Sequence, residues 1–287
     1  MNICVIGAGA WGTALAISAA NSGNNVTLWT FDGNYKIFDG VNMPVNLQIS
    51  RELSDAKNAD LWLLVTPAEF FRETLKQASV FYNGCPVIIC TKGAENQTGK
   101  FMSEILNDVL PNCSACGVLS GPQFAAEVAS GIPTGSTLAG NNIIHHAGQK
   151  ALSNLELSFT DDVIGTQLCG IGKNAVALIF GYNSVKARGE NERALIFTKA
   201  WNEIIEIGLK MGAKLRTFSD LCGIGDLFLS ATSMTSRNCS GGASLARGEE
   251  IQGTVEGVFA LNGLIERGKK LNVPTPTLSE MKIKMGL

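Results

Sequence analysis

Residues Asn2–Ala16 read NICVIGAGAWGTALA. A short apolar, β-prone run meets Gly7, Gly9 and Gly12 in the spacing GxGxxG, and Ala, Leu and Ile follow at once. That spacing alone is weak in a chain where 32 of 287 residues are glycine, so its placement carries the reading. With a strand before it and a helix after it, each glycine has a task. Gly7 permits the tight turn, Gly9 lets a pyrophosphate approach backbone N–H groups, and Gly12 brings the helix close to the strand. A dinucleotide-binding βα unit follows, rather than a mere tight turn. Asp32 lies near the expected end of the second strand, NVTLW, where a carboxylate can take the ribose hydroxyls of an adenosine. No Lys or Arg adjoins it to receive a 2′-phosphate, which leans toward NAD and leaves NADP possible. A turn with its acid in water is the other reading of TFDG.

Outward from this unit, short apolar runs alternate with helical stretches: NVTLW, DLWLLVT, PVIICT, ACGVLSG, GSTLAG and LELSFT. Most are continuous rather than alternating, as expected of strands covered on both faces, and the connections suit βαβ crossovers. The sequence therefore predicts an α/β fold whose residues 1–162 form a doubly wound, mostly parallel sheet. After Asp162 the rhythm changes. VIGTQLCGIGKNAVALIFGYNSV, ENERALIFTKAWNEIIEIGLKMG and TVEGVFALNGLIERGKKL carry apolar residues at three- and four-residue intervals. Residues 163–287 are expected to form an all-helical domain.

Composition narrows the function. Apolar residues make up 45% of the chain, charged residues 17%, and the formal net charge is -2, with no basic stripe to suit nucleic acid or an anionic membrane. MNICVIGAG lacks a basic leader, and no apolar run is read as reaching membrane-span length, so a cytoplasmic protein is expected. Eight scattered cysteines do not form a secreted disulfide scaffold. Cys4 and Cys90 lie in apolar runs and read as core. The CxxC of Cys113 and Cys116 lacks a second ligand pair at zinc spacing, so no metal is expected. His145 and His146 read as surface imidazoles.

Three further strands end in VTP, TKG and SGP, and the carboxyl ends of strands in an open parallel sheet line the ligand crevice. Lys92 of TKG is then a cation at that rim; a solvated loop lysine is the alternative. Reducing a carbonyl by hydride builds negative charge on oxygen, so a proton-passing donor is needed. GIGKNAVALIF offers Lys173 near the start of an apolar helix, with Asn174 beside it. Asp226 is the natural partner for a lysine in such surroundings, since an unpaired charge there is costly. A solvated residue at the helix start is the other reading of Lys173.

The motifs GAGAWGTALA, TKG, LSGPQFAAEVASGIPT, GIGKN, TFSDLCGIGDL, SRN and VEGV occur in this order along nearly the whole chain. In that order the chain resembles the bacterial-type NAD(P)-dependent glycerol-3-phosphate dehydrogenases. The resemblance implies a Rossmann domain followed by a helical domain, usually in a homodimer. It implies reversible hydride transfer between NAD(P)H and dihydroxyacetone phosphate, giving sn-glycerol 3-phosphate for phospholipid synthesis. It casts Lys173 as the catalytic acid/base, with Lys92 and Asp226 as the catalytic-site lysine and aspartate. Gly121, Gln123, Asn174, Ser236, Arg237 and Asn238 are then substrate residues, the SRN triplet holding the phosphate. Ala10, Trp11, Phe31, Ala125 and Glu256 fall where the family touches the dinucleotide, together with Lys92 and Arg237. Ser236 also reads as the N-cap of a following helix, whose positive end suits a phosphate.

The chain departs from the family pattern at several places. The stretch 33–56 is shorter than usual, which affects the adenosine edge. Ser230 replaces a commoner Thr, Gln123 replaces a small hydroxyl residue, GENERAL differs from a Gly-x-Asn form, and TPTLSEMKIKMGL trims the last helix. None removes a charged catalytic group, so activity is expected. Related two-domain 3-hydroxy acid or ketopantoate-type dehydrogenases, and a non-catalytic dinucleotide sensor, are the alternatives.

Overall fold

The structure is a computed structural model that describes residues 1–233, 235–251 and 255–287. The chain forms two compact units. One comprises Met1–Glu95 and Lys100–Val163, the other Asn96–Gly99 and Ile164–Leu287.

The first unit is built on one eight-stranded sheet: β1 (Asn2–Ile6), β2 (Asn25–Trp29), β3 (Leu47–Ser50), β4 (Leu61–Leu64), β5 (Val87–Ile89), β6 (Cys116–Ser120), β7 (Gly135–Ala139) and β8 (Glu156–Thr160). The spatial order is β3-β2-β1-β4-β5-β6-β7-β8, so the sequence of strands switches sides between β1 and β4. All neighbours run parallel except β6 and β7. This is the doubly wound, mostly parallel sheet that the apolar runs imply. Continuous hydrophobicity along a strand feeds two cores at once, because successive side chains point to opposite faces. Ile3 and Val5 with Leu61 and Leu63 enter one core, where Leu15 and Ile17 of α1 (Ala10–Asn21) and Ile144 of α5 (Asn142–Ala151) pack. Cys4 and Ile6 with Trp62 and Leu64 enter the other, with Phe71 and Leu75 of α2 (Ala68–Ser79) and Ile105 of α3 (Met102–Val109). The short α4 (Ala125–Ala129) follows β6. Strand β3 lies outside the apolar runs read from the sequence: LQIS is a partly exposed edge strand, stabilised by its pairing with β2.

The second unit is helical: α6 (Val163–Lys186), α7 (Glu190–Lys210), α8 (Asp226–Thr232), α9 (Arg237–Arg247), α10 (Glu256–Leu271) and α11 (Pro276–Lys284). Helix α6 is its centre, with both its flanks buried. Helix α9 approaches α6 closely because glycines meet backbone. A Cβ on Gly181 would collide with the Cys239 carbonyl, and one on Gly242 with the Leu178 carbonyl. Helix α11 opens with Pro276, and the Glu203 carboxylate of α7 accepts the N–H groups of Thr277 at 2.7 Å and Leu278 at 3.0 Å. An anion thus caps a helix N-terminus from a neighbouring helix.

Two expectations are corrected here. At 24 residues and mean hydropathy 1.4, α6 is long and apolar enough to cross a membrane by length and composition, contrary to the reading that no run reaches such a length. Of that apolar window, 78% is buried inside the protein, as in the core helix of a globular unit. His145 is also no simple surface residue. Its Nε2 lies 3.0 Å from the Thr160 carbonyl, and its ring rests against Phe159.

Candidate active site

In the sheet unit, the turn between β1 and α1 has the shape that its glycines demand. Gly7 adopts φ +118°, a conformation that L side chains resist, and a Cβ there would come within 2.8 Å of the Thr66 nitrogen. A Cβ on Gly12 would overlap the Gly7 carbonyl, so the helix can approach the turn only with glycine here. Around Gly9 the space is open, with nothing within 4 Å of where a Cβ would stand. Among the described residues no side chain caps the N-terminus of α1, which begins at Ala10, and none partners the buried indole Nε1 of Trp11. Uncapped helix N–H groups, open space over a glycine and an orphaned donor together fit the diphosphate of a dinucleotide. Gly7, Gly9, Ala10, Trp11 and Gly12 are the residues that would hold it.

Asp32 lies three residues beyond the end of β2 rather than at it. Its carboxylate accepts from the backbone N–H of Asn34 at 2.9 Å, the Asn34 side chain at 2.8 Å and the Thr30 hydroxyl at 3.3 Å. The Asn34 amide, through side chain and then backbone, holds this carboxyl below its ordinary range. The turn reading of TFDG thus describes the geometry, although the carboxylate stays on the surface. Phe31 beside it is 80% exposed.

Strand β5 leads into the TKG turn. The Thr91 hydroxyl donates to the Thr66 carbonyl at 2.7 Å, tying this turn to the end of β4. Gly93 takes φ +133° and redirects the chain. Between them, Lys92 is part-buried and its Nζ donates to the Gly121 carbonyl at 3.2 Å. Lys92 and Gly121, 29 residues apart, therefore meet as the strand-end argument anticipates. Gly121 has its own packing reason to be glycine, since a Cβ would come within 2.8 Å of Ser136 Cα. The Gln123 amide nitrogen donates to the Ser136 hydroxyl, while Oε1 is buried with no partner among the described residues. Ala125 opens α4.

In the helical unit, Lys173 stands near the middle of α6, not near its start. Gly170 and Gly172 are interior residues of α6. The Lys173 ammonium donates to Asp226 Oδ1 at 3.0 Å and to the Ser230 hydroxyl at 2.7 Å. Ser230 in turn donates to Asp226 at 3.4 Å. Asp226 is 0% exposed, and a cation and a hydroxyl that meet it help to stabilise its charge there. A wide, π-type turn over Leu221–Gly225 delivers this aspartate, which is the first residue of α8. Ser230 follows one turn later on the same face, which is why a hydroxyl four residues past the aspartate can share its lysine.

Ser236 caps α9 as expected, its hydroxyl accepting from the Cys239 N–H at 3.4 Å. Arg237 and Asn238 are the first two residues of that helix and differ sharply. The Arg237 side chain is 73% exposed and lies 3.6 Å from Glu256 Oε1. Asn238 is buried, and its amide donates to Asn174 Oδ1 at 2.8 Å while accepting from the Gly257 N–H at 2.8 Å. Asn174 donates on to Glu256 Oε2 at 3.0 Å. Glu256, the first residue of α10, therefore joins α6, α9 and α10 through a chain of amides. The sequence places these residues in one motif set, but nothing in it signals the Asn174–Asn238 pairing, which spans 64 positions.

All eight cysteines are free thiols, and burial pushes Cys4, Cys85 and Cys116 up to about 12. Among the described residues no group of three or more His, Cys, Asp or Glu side chains is arranged to hold a metal. The chemistry on offer is that of cations, amides and a dinucleotide cradle.

Comparison with known proteins bears on both units. Residues 2–145 match the N-terminal model of NAD-dependent glycerol-3-phosphate dehydrogenase, and residues 162–283 its C-terminal model. A glycerol-3-phosphate dehydrogenase (NAD(P)+) of Parvibaculum lavamentivorans is 36% identical over 96% of this chain and 89% of its own length. The crystal structure of glycerol-3-phosphate dehydrogenase from Coxiella burnetii superposes with a TM-score of 0.89 at 26% identity, covering 99% of this chain and 94% of that one. A ketopantoate reductase of Ralstonia eutropha shares the fold alone, with a TM-score of 0.66 at 16% identity over 99% of this chain and 97% of that one.

Proposed function

The chain belongs to the NAD-dependent glycerol-3-phosphate dehydrogenase family, and from that premise we propose how its residues perform the reaction. It is an NAD(P)-dependent oxidoreductase that interconverts dihydroxyacetone phosphate and sn-glycerol 3-phosphate. The bound nicotinamide supplies or accepts the hydride at the central carbon.

Each cluster then has a task. As the carbonyl oxygen gains charge, the Lys173 ammonium donates a hydrogen bond to it and passes on its proton. In the reverse direction the neutral amine takes the proton of the hydroxyl. Asp226 and Ser230 fix the direction of the ammonium and keep a cation tolerable in an apolar helix. Arg237 grips the substrate phosphate by its fork, aided by the N-terminus of α9. Asn238, with both ends of its amide engaged by Asn174 and Gly257, steadies that helix start. Lys92 and Gly121 are substrate residues in this reading, with Gln123 beside them. Glu256 orients Arg237 and touches the dinucleotide, to which Phe31, Asp32 and Ala125 contribute its outer contacts. NAD is the cofactor in this reading, and NADP can substitute. The product supplies phospholipid synthesis, and the enzyme works as a cytoplasmic homodimer.

One observation carries the reading: a lysine in mid-helix, paired within 3.0 Å to a fully buried aspartate. Oxidation of NADH and NADPH by the purified protein tests it, with dihydroxyacetone phosphate set against a panel of 2-keto acids. Turnover with dihydroxyacetone phosphate is expected. Turnover confined to a keto acid, or cofactor binding with no turnover at all, overturns it.

A further inference from the structure

Beyond the residues assigned above, we propose that Arg72 is a positioning residue for Lys92, acting through Glu95 to hold the TKG turn. The proposal rests on the reading of Lys92 as a substrate residue. In the sheet unit the chain departs at Glu95 and returns at Lys100, and both feet of this excursion are tied by charge. Arg72 donates to Glu95 through Nε at 2.6 Å and Nη2 at 3.0 Å, a two-pronged fork. The same Nη2 donates to Asp108 at 3.1 Å, and Asp108 accepts from Lys100 at 2.7 Å. Backbone bonds close the base: Glu95 N–H donates to the Lys100 carbonyl at 2.9 Å, and Ala94 bridges Phe101.

Helix α2 holds the lysine turn at two points. A Cβ on Gly93 would stand 3.1 Å from that of Ala68, the first residue of α2, so the turn rests on the helix start. Arg72 lies one turn further along the same helix and fixes Glu95, three residues after Lys92. On the other side, Thr91 is bonded to Thr66. The Lys92 backbone is therefore held before and after its own position, and its Nζ reaches Gly121 from a fixed base. A device meant only for stability has no need of a carboxylate that is 9% exposed, because such pairs add little over apolar packing. What a forked pair adds is direction.

The test is a double-mutant cycle on the full-length protein, reading KM for dihydroxyacetone phosphate, kcat, NADH affinity by fluorescence, and Tm. Arg72→Met is expected to raise KM about 10-fold with NADH affinity held within about 2-fold, and to add little further in a Lys92→Met background. Arg72→Lys, which keeps charge and loses the fork, falls between. Glu95→Gln reproduces the Arg72→Met effect and serves if that variant folds poorly. A lowered Tm with unchanged KM, or equal effects with and without Lys92, overturns the proposal. If Lys92→Met itself leaves KM unchanged, the reading of Lys92 fails and the positioning role fails with it, a result distinct from failure of Arg72 alone.

Discussion

Lys92 and Lys173 are both assigned to one reaction, yet the fold holds them in opposite ways. Lys92 rides on a glycine turn at the end of a strand, and the described partner of its ammonium is a backbone carbonyl. Lys173 stands inside a 24-residue apolar helix, and its partner is a carboxylate that solvent does not reach. Lys92 is part-buried on that turn. Removing the Lys173 ammonium takes from the fully buried Asp226 the cation it meets in the core, and breaking a buried ion pair costs about 3–5 kcal/mol in comparable sites. A lysine that must change protonation is thus built into a long, largely buried helix, while a lysine that binds the substrate sits on a glycine turn.

Substitutions can break or sharpen this contrast. Asp226→Asn, which leaves the Lys173 ammonium without its counter-charge, is expected to lower kcat about 100-fold or more and to reduce stability measurably by thermal melting. Lys92→Met is expected to lower Tm less than Asp226→Asn does, while weakening substrate binding. Equal stability losses from these two variants would erase the distinction. Arg237→Ala, which removes an exposed guanidinium, should raise KM for dihydroxyacetone phosphate roughly 10- to 100-fold with little change in Tm. A KM left at the wild-type value would remove the phosphate clamp.

The smallest effect is expected at Asp32. Its folded pKa is depressed by Asn34, so the charge-dependent bonds of the turn persist at neutral pH and are lost only as pH falls through the folded value, below 3.8. NADH affinity should then show no step from this residue between about pH 5 and 8, and Asp32→Asn should change it less than about 3-fold. A step near pH 4–5 that disappears in Asp32→Asn would contradict the turn assignment.

What was legible in the sequence followed from how local each signal is. The GxGxxG turn and the continuous apolar strands are governed by contacts within a few residues or by burial on both faces, and the sheet follows from them. LQIS escaped because a four-residue, partly exposed edge strand has almost no hydrophobic signature; its partner β2 makes it a strand. Lys173 reads as lying near a helix start, whereas α6 begins at Val163 and the lysine is interior to it. The pairing of Lys173 with Asp226 could be argued from cost alone, since an apolar helix must neutralise a cation in its interior. No such argument reaches Asn174 with Asn238, or Arg72 with Glu95. Several partners could satisfy those side chains, and only the fold selects one.

The central claim is that Lys173 delivers the proton as charge develops on the substrate oxygen. Single-turnover hydride transfer in Lys173→Met, mixed with NADH and dihydroxyacetone phosphate at saturating levels, tests it most directly. A rate lowered about 100- to 10,000-fold, with both ligands still bound, is the predicted result. A rate within a few-fold of wild type would contradict it.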